Sequence, residues 1–186
     1  MCGKNRFRNL ALLSAGTLAG TLAGTEAASA EGRNGSEAPK KPNILFFLVD
    51  DLGWSDIGCF GSRFHETPNI DRLAEEGVRF TNAYAACHVS SPTRASLMTG
   101  RYPASIRLTD WLPGRKNWPF QRLLNAPVEQ HLPFEEITVA ETLRDNGYAT
   151  AIIGKWHLGK GDSNPLAHGF NEHIPLGYNE GWPQGY

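Results

Sequence analysis

Three small groups of residues in this chain have types and spacings that suit chemistry. In the stretch AACHVSSPTRASLMTG two adjacent hydroxyls, Ser90 and Ser91, precede Pro92, Thr93 and Arg94. A residue just ahead of a helical first turn faces unpaired amide donors and the positive end of the helix, which suits an anion. Arg94 adds a planar fork of donors for oxyanions. The plainer alternative is that Ser90 or Ser91 only caps the helix. Asp50 and Asp51 form the second group, at the end of the apolar run NILFFLV. Neighbouring carboxylates repel unless a cation lies near them, and hard divalent ions such as calcium accept such oxygens. A pair of surface turn aspartates is the rival, and two ligands do not complete a calcium shell. Lys155 and His157 form the third group. In an extended segment i and i+2 point the same way, so both reach one pocket while Trp156 packs away. Lysine offers fixed charge, and histidine moves a proton near neutral pH; an ordinary surface strand end is the alternative. Together the three groups suit hydrolysis of an anionic ester.

The elements that must position these groups read as α/β. Residues 43–50 form a continuous apolar run of strand length, as expected for a strand buried on both faces of a parallel sheet. Thr67-Pro68 reads as a helix start, with Thr67 as cap; Ile70, Leu73 and Ala74 share a face and Gly77 stops the helix. VRFTNAYA, from Val78, reads as the next strand. A helix-like segment follows Pro92 and stops at Gly100. Thr138 and Glu141 make a T-x-x-E capping box, with Val139, Ala140 and Leu143 on the apolar face and Gly147 at the end. Tyr148–Ile153 then reads as a strand entering Gly154-Lys155-Trp156-His157. Strand, helix and strand recur, so the expected architecture is a mostly parallel central sheet flanked by helices. Residues 101–134, rich in Pro, Trp and Arg with weak periodicity, are either a binding loop or an irregular surface excursion. The tail from His168 is full of Gly, Pro and Asn and shows no convincing strand or helix. No internal repeat is present.

Of the 186 residues, 40% are hydrophobic and 20% charged, ordinary for one soluble core. The formal net charge is −1. No Lys/Arg stripe marks a nucleic-acid groove. Residues 1–30 read as a signal peptide: Lys4, Arg6 and Arg8, then a small-residue apolar stretch, then Ala28-Ser29-Ala30 as an A-x-A cleavage site. Residues 31–42 read as a flexible leader. The apolar stretch is interrupted and too short for a convincing membrane span. Removing residues 1–30 leaves 15 basic groups against 18 acidic ones, a net charge of −3. Cys2 departs with them; Cys59 and Cys87 are left, and spacing does not say whether they pair. A periplasmic or secreted protein is expected.

From about residue 43 to 186 the chain resembles the N-terminal part of a sulfatase of the alkaline-phosphatase-like superfamily. The resemblance rests on NILFFLVDDLGW, TPNIDRLAEEGVRFTNAY, SSPTRASLMTG followed by RYP, and GYATAIIGKWHLG, in the family's order. It implies that Ser90, two residues before Pro92, is oxidised to Cα-formylglycine by a radical-SAM maturase, whereas Cys87 stands three residues too early. It implies Asp50, Asp51 and the modified Ser90 as calcium ligands, with Arg94 stabilising the formylglycine. Lys155 would hold a sulfate oxygen, and His157 would orient or deprotonate the aldehyde hydrate. The implied activity is hydrolysis of sulfate esters, with sulfated carbohydrate as the expected substrate. The alternatives are a phosphodiesterase or phosphonate monoester hydrolase of the same superfamily, and a degenerate protein that only binds sulfated glycan. The family's later calcium pair, and its later histidine and lysine, match nothing in these 186 residues. Residues 43–186 are accordingly expected to be an incomplete catalytic domain, inactive alone. Asn171 and His173 fit none of those later motifs.

Overall fold

A computed structural model describes residues 41–176. The expected signal peptide and nearly all of the leader lie outside the described residues. The chain divides into two compact units, one ending at Ala83 and the other beginning at Tyr84.

In the first unit a 3-10 helix, Gly58–Phe60, precedes helix α1, Pro68–Glu76. Pro68 takes the first helical turn, where its missing N–H costs nothing. Thr67 stands at the N-cap, but its side chain makes no cap bond. Its Oγ1 instead accepts from Gly58 N (2.8 Å) and donates to Asp71 Oδ1 (3.1 Å), and Asp71 Oδ1 also accepts from Cys59 N (2.7 Å). Thr67 and Asp71 therefore tie the 3-10 helix to the start of α1.

Two expected strands do not form. Residues 43–50 and the segment from Val78 are irregular, and Phe47 is 72% exposed and Val78 75%. A buried parallel strand needs a hydrogen-bonded neighbour and covered faces. Among the described residues no strand pairs with either segment. An apolar run without a ladder has nothing to hold it extended.

The second unit holds the core. Helix α2 spans Ser90–Thr99 and buries Ser91, Pro92, Ala95 and Ser96; Gly100, at φ 69°, closes it by donating its N–H to Ser96 O (2.8 Å). Helix α3, Val139–Asp145, starts with the expected capping box: Thr138 Oγ1 accepts from Glu141 N (3.1 Å), and Glu141 Oε2 accepts from Thr138 N (2.7 Å). Strands β1, Ala151–Ile153, and β2, Glu172–Ile174, pair in parallel with Ala151 opposite Glu172. The class is thus α/β, with a small parallel sheet. Strand β2 and the 3-10 helix Pro165–His168 before it correct the reading of the tail as unstructured. What fixes β2 is distant in sequence: Thr150 N and Oγ1 both donate to Asn171 Oδ1 (2.9 and 3.0 Å).

Ala95, Ile106, Leu108, Leu132, Trp156 and Leu158 form the apolar centre, with Met98, Ile152 and Phe170 packed against it. Three of these residues come from 101–134, so that stretch is anchored in the core although it lacks helix or strand. Its ends are also tied, by Glu129 N to Arg107 O (2.9 Å) and by the Arg107–Glu129 ion pair (2.6 Å). Gly169 turns at φ 95°, and a Cβ there would lie 2.5 Å from Glu141 N, so a side chain would push the 3-10 helix off α3.

Candidate active site

The first turn of α2 places Ser90. Val89 is the N-cap residue and contributes no side-chain bond, so neither serine caps the helix. Ser91 is fully buried and its Oγ accepts from Leu112 N (3.1 Å), a structural task. The approach to the helix is clamped by Thr93, whose Oγ1 accepts from Cys87 N (3.2 Å) and donates to Cys87 O (2.7 Å). Both Cys59 and Cys87 are free thiols.

Ser90 Oγ is partly buried and engaged from two sides. One turn along α2, at i+4 on the same face, Arg94 Nε donates to it at 3.0 Å. A second arm of the same guanidinium, Nη1, donates to Lys155 O at 2.7 Å. His157 Nδ1 lies 3.2 Å from Ser90 Oγ, and His157 Nε2 lies 3.0 Å from Leu112 O. A carbonyl oxygen only accepts, so Nε2 carries the proton. In the neutral ring Nδ1 is then the acceptor facing the Ser90 hydroxyl. A hydroxyl that faces an imidazole acceptor, with a carbonyl holding the far ring nitrogen, can have its proton drawn off. His157 holds its place at φ 56°, a left-handed conformation that costs energy in a residue with a side chain. Trp156 points away from this cluster into the core, where its Nε1 donates to Ser163 O (2.9 Å).

The structure therefore gathers Ser90, Arg94, His157 and the backbone of Lys155. Leu112 and Thr93 belong to the same arrangement and escape sequence reasoning. One acts through its carbonyl, which every residue has, and the other through a short local clamp. His88 is exposed, with Nδ1 3.8 Å from Cys87 Sγ.

Asp50 and Asp51 belong to the first unit, in an exposed turn with Asp51 at φ 58°. Among the described residues no three His, Cys, Asp or Glu side chains gather as a metal site. The Asp50-Asp51 donor set is nevertheless all carboxylate oxygen, which fits part of the six to eight oxygens calcium takes.

The geometry shows a hydroxyl on α2 held between an arginine and a histidine, and comparison with known proteins gives the family. The sulfatase family model matches residues 42–181. Human steryl-sulfatase is 46% identical over 143 residues, covering 73% of this chain and 24% of the relative. The N-acetylgalactosamine-6-sulfatase of Canis lupus familiaris is 42% identical over 149 residues, covering 77% and 27%. The crystal structure of Ps i-CgsB superposes with a TM-score of 0.62 at 39% identity, covering 72% of this chain and 28% of that one. The same protein in complex with k-i-k-neocarrahexaose gives 0.57 at 40%, covering 67% and 25%. This chain belongs to the sulfatase family, and its α/β arrangement is part of that family's fold. It spans about a quarter of the length of the curated relatives it matches.

Proposed function

We propose that the protein carrying this chain hydrolyses sulfate esters of carbohydrates, with Ser90, converted to Cα-formylglycine by a radical-SAM maturase, as the reacting residue. The observation that supports this most is the double engagement of Ser90 Oγ by Arg94 Nε and His157 Nδ1. An unmodified serine hydroxyl is a weak nucleophile, whereas an aldehyde hydrate offers one hydroxyl for attack and a second whose deprotonation re-forms the aldehyde. Arg94 holds the oxygen on residue 90 and tethers the Lys155 segment through a second donor. His157 accepts a proton at Nδ1, and the Leu112 carbonyl keeps the ring in the tautomer that can do so. Lys155 supplies positive charge for a sulfate oxygen. Asp50 and Asp51 would hold calcium, which when bound draws charge from sulfate oxygens and lowers the barrier to attack. The carbohydrate assignment is supported by the neocarrahexaose complex of Ps i-CgsB and the named substrate of N-acetylgalactosamine-6-sulfatase. Steryl-sulfatase shows that the same sequence pattern also occurs with a non-carbohydrate name.

The test is turnover by the full-length protein, produced with its maturase, of an aryl sulfate and an aryl phosphate diester. Preference for the sulfate is the expected result. Preference for the diester would move the protein to the phosphodiesterase branch, and binding of sulfated glycan without turnover of either ester would mark it as a degenerate binder.

A further inference from the structure

The stretch 109–130 encloses a cleft of about 490 Å³ in the second unit, within the size range of small-molecule sites. Its lining includes His88, Asp110, Arg115, Asn117, Asn125 and Gln130, a set of amide, carboxylate and guanidinium groups. Two short stretches of chain lead from it to the Ser90 cluster, although none of that cluster's residues lines it. Pro113 lines the cleft, and the preceding Leu112 carbonyl receives His157 Nε2. His88 lines it too, two residues ahead of Ser90.

The cleft is held by its own polar groups. Asn125 N donates to Asn117 Oδ1 (2.8 Å), and Asn125 Nδ2 donates to the carbonyls of Arg115 and Lys116 (3.1 and 3.3 Å). Gln130 Nε2 donates to Val128 O and Pro113 O (2.9 and 3.3 Å). Asn117 Nδ2, Asn125 Oδ1 and Gln130 Oε1 take part in none of these bonds. They are the donors and acceptors that neutral hydroxyls require. Charge in the cleft cancels, because Asp110 Oδ2 sits 3.5 Å from Arg115 Nε. A cleft built for a second anionic group would carry unbalanced positive charge. Next to Asn117 in the chain, Trp118 and Phe120 stack at 6.1 Å and 15° and are 57% and 80% exposed. Exposed aromatic faces suit the apolar C–H face of a sugar ring, and this pair follows a cleft residue in the chain although it does not line the cleft.

We propose that this cleft receives the sugar ring bearing the scissile sulfate and recognises its free hydroxyls through Asp110, Asn117, Asn125 and Gln130. The proposal rests on the sulfate-ester reading above and extends it to the alcohol side of the ester. A site that hydrogen-bonds substrate hydroxyls discriminates strongly against analogues lacking them.

The experiment compares kcat/KM for para-nitrophenyl sulfate with that for monosulfated galactose and N-acetylgalactosamine, in the full-length matured enzyme and in Asp110→Asn and Asn117→Ala. The ratio of sugar sulfate to aryl sulfate efficiency should fall by at least about tenfold in each variant, chiefly through KM. Two separate variants guard against one that fails to fold. An unchanged ratio in both, or a wild-type enzyme that cleaves the aryl sulfate but none of the sugar sulfates, overturns the cleft assignment while leaving the sulfatase reading intact. A wild-type enzyme that cleaves neither overturns both.

Discussion

At Ser90 the decisive fact is which groups share one oxygen, since the neighbouring Ser91 has the same hydroxyl and a different employment. Ser91 Oγ is buried on the Leu112 amide. Removing it leaves that N–H unsatisfied, so Ser91→Ala should cost about 1–3 kcal/mol in urea unfolding while sulfatase activity persists. Arg94 works in two directions at once, through Nε to Ser90 and Nη1 to Lys155 O. An ammonium cannot reproduce that planar fork, so Arg94→Lys should lower kcat for an aryl sulfate by at least about tenfold. Wild-type kcat in Arg94→Lys would remove the arginine from the reaction. Residue types and order made Ser90, Arg94, Lys155 and His157 legible as candidates in the sequence. The Leu112 carbonyl was not, because a backbone acceptor leaves no mark on residue type.

Elements whose ends carry local chemistry were the readable ones. α1 begins at Thr67-Pro68 and α3 at Thr138 because proline and the capping box act within one turn. β2 was missed because its three residues are fixed by Thr150 and Asn171, which are 21 positions apart. Residues 43–50 misled for the opposite reason: apolar strand composition states a preference, and a ladder must satisfy it. Thr138 joins two elements, accepting from Glu141 N and donating to His168 O (2.7 Å) with no exposure. Thr138→Ala should therefore destabilise the protein by about 1–3 kcal/mol, read by thermal or urea unfolding. His168 is a second test at this scale. Burial holds its pKa below the ordinary 6.5, with Glu141 opposing that shift and His131 reinforcing it. Its Nε2 meets Ser163 Oγ at 3.1 Å, and its ring stacks on Phe134 at 5.1 Å. The unfolded state then binds the proton first as pH falls. The contribution from His168 is fully present above pH 6.5 and is lost between 6.5 and its lower folded pKa. Unfolding midpoints measured from pH 7.5 down to 5 should fall with a slope that His168→Gln reduces; an equal slope in the variant would assign the effect elsewhere.

For the whole molecule, family membership and a quarter of the relatives' length are what the chain displays. Among the described residues no helix is long and apolar enough to cross a membrane. On the A-x-A pattern at residues 28–30, N-terminal sequencing of protein from its host should begin at Glu31, and a retained Met1 would count against export. Chelation of divalent metal should abolish turnover by the full-length enzyme and calcium should restore it, if Asp50 and Asp51 serve a hard cation. Full activity in chelator would remove calcium from the reaction. The central claim, that Ser90 becomes the reacting group, is tested most directly by peptide mass spectrometry of the full-length protein made with its maturase, paired with the activity of Ser90→Ala. The expected result is a peptide lacking two hydrogen atoms at residue 90 and no sulfatase activity in the Ser90→Ala protein. An unmodified Ser90 in an active enzyme, or robust activity in Ser90→Ala, would contradict it.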